Sequence, residues 1–439
     1  MQVAKETFCF AVAGLILTGV IVLQNVNAKE NLLAKNAKMQ PIKANFSSFM
    51  VLGDSIPFGY MAGYKRPDGT EIPQVDQALV IHSWPKLVAD QAETELLLPF
   101  YAPKPDNLAV PGYTLADMEN NYSALLAKNS VTQLVMGQYF VTYGDTTPVD
   151  YVLKENPTIL AVMIGNNDIL GAAIYANIAL KTPAVSFETM YEEMVDKLAA
   201  DANRTVVVST IPDVANIPFL VPIRKIFPET ITYPAFNEDK TEYKLQSSDF
   251  ITLTGAKKIQ SSTALTKCPN TSSPSYQCVG DILTQDEINE ISNHTKVFNA
   301  AIRRIASQHD NVAVMNFDTL FENLQHGNMA VVPAKKHFFL VNQGNGIIVE
   351  GKHYTLAYDG GLISKDGIHP TKLGHGVIAN EMIKTLNENF AAGIQPIDLG
   401  PIAAADALAN KVFSPSPVFF DSGAFEKSRS IFKRKQSTN

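Results

Sequence analysis

Cysteine is scarce in this chain, with three in 439 residues. None stands in a C-x-x-C pair and no H-E-x-x-H stretch occurs, so a zinc centre has no ligand set to build on. No metal and no organic cofactor is expected. A basic stripe is missing too: 36 Lys and Arg are scattered among 43 Asp and Glu, for a net charge of −7. That leaves no footprint for a nucleic-acid partner. No internal repeat is visible. Apolar residues make up 46% and charged residues 18%, which excludes a disordered chain and fits a globular one.

What the sequence does carry begins at its N-terminus. Lys5 precedes the apolar run "FCFAVAGLILTGVIVL" at 8–23, and Val26 and Ala28 occupy the −3 and −1 places of a signal-peptidase site. Residues 1–28 therefore read as a secretory signal. The run's length also suits an uncleaved N-terminal anchor, which would give the chain a membrane association. Both readings carry the remainder across a membrane, to a secreted or periplasmic location or to the outer side of one. Cys9 lies within the run. Cys268 and Cys278 flank "PNTSSPSYQ", and in an oxidising compartment they read as a local disulfide worth about 2–3 kcal/mol; two free thiols are the alternative.

From residue 46, short β-rich runs alternate with helical patterns. "SFMVLG" (48–53), "PTILAVMIG" (157–165), "RTVVVSTIP" (204–212) and "NVAVMNF" (311–317) are continuous apolar runs, as in strands covered on both faces, and "DNLAVPG" (106–112) is a weaker fifth. Helices are predicted over 186–201, over 284–309 with Thr284 and Glu287 in capping-box register, and over 371–390. The fold class expected is α/β: a three-layer α/β/α sandwich with a central, mostly parallel five-stranded sheet. Its domain spans 46–392. The stretches 61–83 and 213–283 break the alternation and read as insertions, of the kind used as lids or binding loops. A Pro/Ala-rich tail over 393–439 is expected to pack on the surface or stay loose, and its end is basic.

Three sequence-distant segments fall just past strand ends, where ligands bind on such sheets. "GDS" at 53–55 places a hydroxyl at a strand terminus. A serine hydroxyl is a weak nucleophile until a base takes its proton, and that base needs a partner to fix its tautomer. "DGIH" at 366–369 supplies both: at i, i+3 on a tight turn, Asp366 can reach one ring nitrogen of His369 and leave the other free. Attack on an ester also builds an oxyanion, which needs donors in place. Gly112 offers an unobstructed backbone N–H, Asn167 in "GNND" a side-chain amide, and Ser55 its own N–H. His375 reads as packing or surface.

These four blocks, in this order, resemble the SGNH or GDSL family of serine esterases and lipases. The resemblance covers the strands and motifs of about 46–390 and leaves the insertions outside. It implies a flavodoxin-like sheet, with Ser55 as nucleophile, His369 as base and then acid, and Asp366 as its orienter. It also implies Ser55, Gly112 and Asn167 as oxyanion donors, and Asp54 and Asp168 as loop supports. Asn166 takes the variable place between Gly165 and Asn167. Ile56 stands where the family's name-giving leucine would. The expected activity is hydrolysis of small-molecule or lipid carboxylic esters through an acyl-serine. "DILGAAIYANIALKTP", after Asn167, reads either as an apolar wall for an acyl chain of medium or greater length or as a core helix. The alternatives are an O-acetyl carbohydrate deacetylase on the same site and an exported binding protein without turnover.

Overall fold

The computed structural model describes residues 43–102, 104–121, 124–125, 145–227, 233–270, 278–326 and 346–409. Residues 1–42, which include the segment expected to be a signal, residues 271–277 of the loop between the two cysteines and the tail from 410 lie outside the described residues. Among those described, no helix is long and apolar enough to cross a membrane.

The frame is a parallel sheet of strands β1 (Phe49–Gly53), β2 (Ile159–Met163), β3 (Thr205–Ser209) and β4 (Val312–Met315), in that spatial order. Every residue of β1, β2 and β3 is buried, which their unbroken apolar runs require. β4 alternates between buried and half-buried residues, as an edge strand does. Helices cover both faces of the sheet. Helices α4 (Ala184–Ala199) and α5 (Gln285–Ala306) pack on each other and against β3, while α7 (Lys372–Phe390) packs on β3, β4 and α2 (Trp84–Gln91). Thr284 and Glu287 form a reciprocal capping box that starts α5.

The sheet has four strands where five were expected. The missing one, 106–110, still lies along the free edge of β1: Val51 donates to Asp106 O at 3.0 Å, and the N–H groups of Leu108 and Val110 donate to Val51 O and Gly53 O. Only the Val51–Asn107 pair makes a full bridge: Val110 donates to Gly53 O, but no bond from the Gly53 N–H to Leu108 O completes a second, and Gly112 then turns the chain away at φ +87°. This pairing nevertheless matters for the site. The chain runs out along one edge of β1 and returns along the other with β2, so the direction of winding reverses at β1. A ligand crevice forms where such a reversal occurs, beyond the carboxyl ends of the strands.

The stretch 213–283 is a folded unit. Short strands Leu220–Pro222, Phe250–Thr252 and Ile282–Leu283 pair antiparallel, and Ala235–Asn237 pairs with Leu265–Lys267. Ile223, Phe227, Ile251, Ile259, Leu265 and Ile282 form an apolar cluster of its own. Cys268 and Cys278 are joined by a disulfide. In 61–83, Met61, Tyr64 and Leu79 make a smaller cluster.

Beyond 392 the chain stays attached. Asn387 donates to Ile394 O at 2.7 Å and accepts its N–H, and two turns back on α7, Asn380 clasps Ile397 in the same way. Helix α8 (Leu399–Ala405) then lies on α7, and the buried Asp406 carboxylate accepts the Leu373 N–H and the Tyr64 hydroxyl, each at 2.9 Å.

Candidate active site

β1 ends at Gly53, and the next residue starts a helix. Asp54 caps the four-residue α1 (Ser55–Phe58) by accepting the Ile56 N–H at 3.1 Å, so Ser55 stands at the point where strand becomes helix. From the far end of the chain comes the turn 364–369. Ser364 donates its N–H to His369 O at 2.7 Å and accepts the Gly367 N–H at 3.0 Å, which closes the turn on itself. Inside it, Asp366 Oδ1 accepts the N–H groups of Ile368 and His369 and the Ser364 hydroxyl, at 2.9, 3.0 and 3.1 Å.

Asp366 Oδ2 lies 2.7 Å from His369 Nδ1, and His369 Nε2 lies 2.8 Å from Ser55 Oγ. An ionised carboxylate only accepts, so Nδ1 carries the ring hydrogen and Nε2 presents its lone pair to the serine O–H. Burial pushes the Asp366 carboxyl up, but the His369 charge, its ring N–H and the two backbone N–H groups outweigh it and bring the carboxyl down to about 2. Asp366 is therefore ionised at neutral pH, as the orienting partner of a base must be.

The donors converge from both flanks of β1. Gly112 follows the segment on one edge. Its left-handed φ of +87° excludes most other residues, while a Cβ there would meet nothing within 4 Å, so glycine is required by conformation and not by space. Neither the Gly112 nor the Ser55 N–H has a backbone acceptor among the described residues. Asn167 follows β2 on the other edge and is the first residue of α3 (Asn167–Ile174). One of its amide hydrogens goes to Tyr113 O at 2.8 Å, which anchors the side chain beside Gly112 and leaves the second hydrogen to spare.

Supporting residues surround these groups, and of them Asn166, Ser364 and Tyr60 have no signature that sequence reasoning could use. Asn166 donates to Asp54 Oδ2 at 2.7 Å, tying the β2 loop to the serine turn. Burial drives the Asp54 carboxyl up to about 6, with the bonds from Asn166 and Ile56 holding it down. Asp168 accepts the Leu115 N–H and the Thr182 hydroxyl, each at 2.8 Å, and so joins the Gly112 loop to α3. Ser364 accepts the Ala62 N–H at 3.2 Å while it holds Asp366. The Tyr60 ring lies against His369, with centroids 4.3 Å apart. His375 is fully buried, and its Nδ1 accepts the Trp84 N–H at 3.3 Å.

An apolar cleft of about 50 Å³ adjoins these loops. Ile56, next to Ser55, and Ile368 and Pro370, on either side of His369, line it together with Leu170, Ile217 and Phe321 of α6 (Phe317–His326). Of the segment after Asn167, Ile169, Ala172 and Ala173 are fully buried in the core, and Leu170 reaches the cleft. Among the described residues no His, Cys, Asp and Glu cluster has the makings of a metal site.

Residues 49–382 match a family model described as GDSL-like lipase/acylhydrolase. No curated protein matches the chain. Among solved structures, it is similar to a Clostridium thermocellum family 3 carbohydrate esterase at 12% identity and a TM-score of 0.34, covering 79% of this chain and 98% of that one. A psychrotrophic esterase from a Pseudoalteromonas species is 14% identical with a TM-score of 0.31, over 77% and 96% of the two chains. An extracellular lipase from Streptomyces rimosus is 15% identical with a TM-score of 0.31, over 78% and 98%.

Proposed function

The chain belongs to the GDSL-like lipase/acylhydrolase family and is a carboxylic ester hydrolase; from that premise we propose that Ser55, His369 and Asp366 are its catalytic residues and that its substrates carry an acyl chain of medium or greater length. The observation that carries the assignment is the hydrogen-bonded line from Asp366 through His369 to Ser55 Oγ, at 2.7 and 2.8 Å, between residues 314 apart in the chain.

The reaction follows from that line. Ser55 Oγ attacks the ester carbonyl carbon as His369 Nε2 takes its proton, and Asp366 stabilises the imidazolium. The carbonyl oxygen becomes an oxyanion, met by the N–H groups of Ser55 and Gly112 and the spare amide hydrogen of Asn167. When the tetrahedral species collapses, His369 gives its proton to the departing alkoxide and the acyl group stays on Ser55. A water, deprotonated by His369, then attacks the acyl carbon; collapse of the second tetrahedral species returns the proton to Ser55 Oγ and releases the acid.

Support for a hydrocarbon acyl group comes from the apolar cleft, whose walls include the residues flanking both Ser55 and His369. A fluorophosphonate probe should label the protein covalently, and Ser55→Ala should abolish the labelling. No labelling of the folded wild type would instead mean a binding protein without turnover. In a series of p-nitrophenyl esters, medium chains should be cleaved faster than acetate. A strong preference for acetate would refute the acyl-chain reading and point to O-acetyl carbohydrate deacetylation. Export rests on the segment 1–28, and N-terminal sequencing should find the mature protein starting at Lys29. A membrane-bound product starting at Met1 would make that segment an anchor.

A further inference from the structure

The imidazole of a catalytic histidine is held by its two nitrogens only in one plane; a third contact is needed to stop the ring from tilting out of it. Here the two nitrogens are taken by Asp366 and Ser55, and the Tyr60 ring lies against the imidazole, with an interplanar angle of 44° and centroids 4.3 Å apart. Resting on the catalytic roles proposed above, we propose that Tyr60 is a positioning residue, a wall that keeps the His369 ring in line with the serine and stabilises it while it carries the proton.

Tyr60 comes from the same turn as the nucleophile. Its N–H donates to Ser55 O at 3.0 Å, and Gly59, at φ +93°, closes the turn against Ser83, whose Cβ would lie 2.8 Å from any side chain added there. The hydroxyl and the wall behind the base are thus one rigid piece, so the ring is registered to the oxygen it must serve. The charge it serves is transient. An imidazolium forms only during turnover, and an aromatic ring within about 6 Å attracts a cation through its face. Burial and the Asp366 charge both push the Tyr60 phenol up, so the ring stays neutral while it does this. Among the described residues, the ionisable groups coupled to His369 include Asp366 and Asp54, both acidic, and the buried His375. The ring adds to them a contact that holds the imidazole without placing a further charge on it.

The test separates a wall from a filler. Tyr60→Leu should lower kcat by ~10- to 100-fold, the range produced by misplacing a catalytic group by ~1 Å, with KM nearly constant. Tyr60→Phe keeps the ring and should restore kcat. Because the effect runs through the base, Tyr60→Leu should cost nothing more on top of His369→Ala, measured on the residual rate. A Tyr60→Leu enzyme with wild-type kcat overturns the proposal. So does a further loss in the His369→Ala background, which would mean direct contact with the substrate, or a failure of Tyr60→Phe to restore the rate, which would assign the effect to the hydroxyl. A wild type that cleaves no ester and takes no fluorophosphonate would instead defeat the catalytic reading itself, before Tyr60 is touched.

Discussion

Two adjacent amides, Asn166 and Asn167, hold different partners, the first the buried Asp54 carboxylate and the second the Tyr113 carbonyl beside the oxyanion donors. Their substitutions should therefore fail differently. Asn167→Ala should fold normally and lose about 10²–10³ in kcat, the usual cost of one oxyanion donor. Asn166→Ala strips a fully buried carboxylate of a hydrogen bond and should cost about 1–3 kcal/mol of stability. Steady-state kinetics and urea denaturation of the two variants check this. At His375 the consequence is a pH dependence. Burial, then the nearby His369 and His82, depress its ring to about 3, so the folded protein keeps it neutral. The unfolded chain takes a proton below about 6.5. Stability from this residue is complete above that value and drains away as pH falls towards 3. His82, depressed to about 4 chiefly by burial, adds in the same direction, and Asp54 opposes it. Comparing wild type with His375→Gln isolates the term: between pH 7 and 4 the variant's urea midpoint should fall less steeply.

At the scale of elements, the turn 364–369 is braced from outside. Phe219 donates its N–H to Gly367 O at 3.0 Å, and Gly367 sits at φ +75° with no room for a side chain: an added Cβ would lie 2.9 Å from Leu253 Cδ1 and 2.9 Å from Phe219 N. Gly367→Ala must push the 213–283 unit away from the turn that carries Asp366 and His369. It should lower kcat at least tenfold and destabilise the protein by about 1–3 kcal/mol; a variant with wild-type kcat and denaturation midpoint would show the brace to be idle. The sequence marks 213–283 only as a departure from strand and helix alternation. Its polar and proline content conceals the separate apolar cluster, since Ile223, Phe227, Ile251 and Ile282 are spread too far along the chain to form a period. The edge segment 106–110 shows the opposite difficulty. Its apolar residues look like a strand, and what limits the pairing is the missing bond from the Gly53 N–H to Leu108 O and the turn at Gly112, neither of which an apolar run discloses.

For the molecule as a whole, the segment after 392 anchors the start of α7 at Leu373, four residues beyond His369. Asp406 caps α7 at Leu373 and ties it to Tyr64, so three distant parts of the chain share one buried carboxylate. Ending the chain at 392 removes this carboxylate along with the Asn380 and Asn387 clasps. The truncated protein should melt well below the full chain, and Asp406→Ala alone should cost about 1–3 kcal/mol, the range for leaving buried donors without their acceptor. Thermal scans of both would test it. The groups proposed to react were legible in the sequence because their chemistry admits few residue types: a hydroxyl, an imidazole, a carboxylate, an amide and a glycine. Asn166, Tyr60, Ser364 and Asp406 were not, because each acts through a partner that only the folded chain brings near, and nothing local sets a buried Asp406 apart from an exposed aspartate.

The separation of 314 residues between the serine and its base also sets an order of events during synthesis. The hydroxyl leaves the ribosome 314 residues ahead of the imidazole, and over that interval it is an ordinary alcohol with nothing to take its proton. On the roles proposed above, a nascent chain halted anywhere before residue 369 lacks its base, so activity waits until that residue has been made and folded into place.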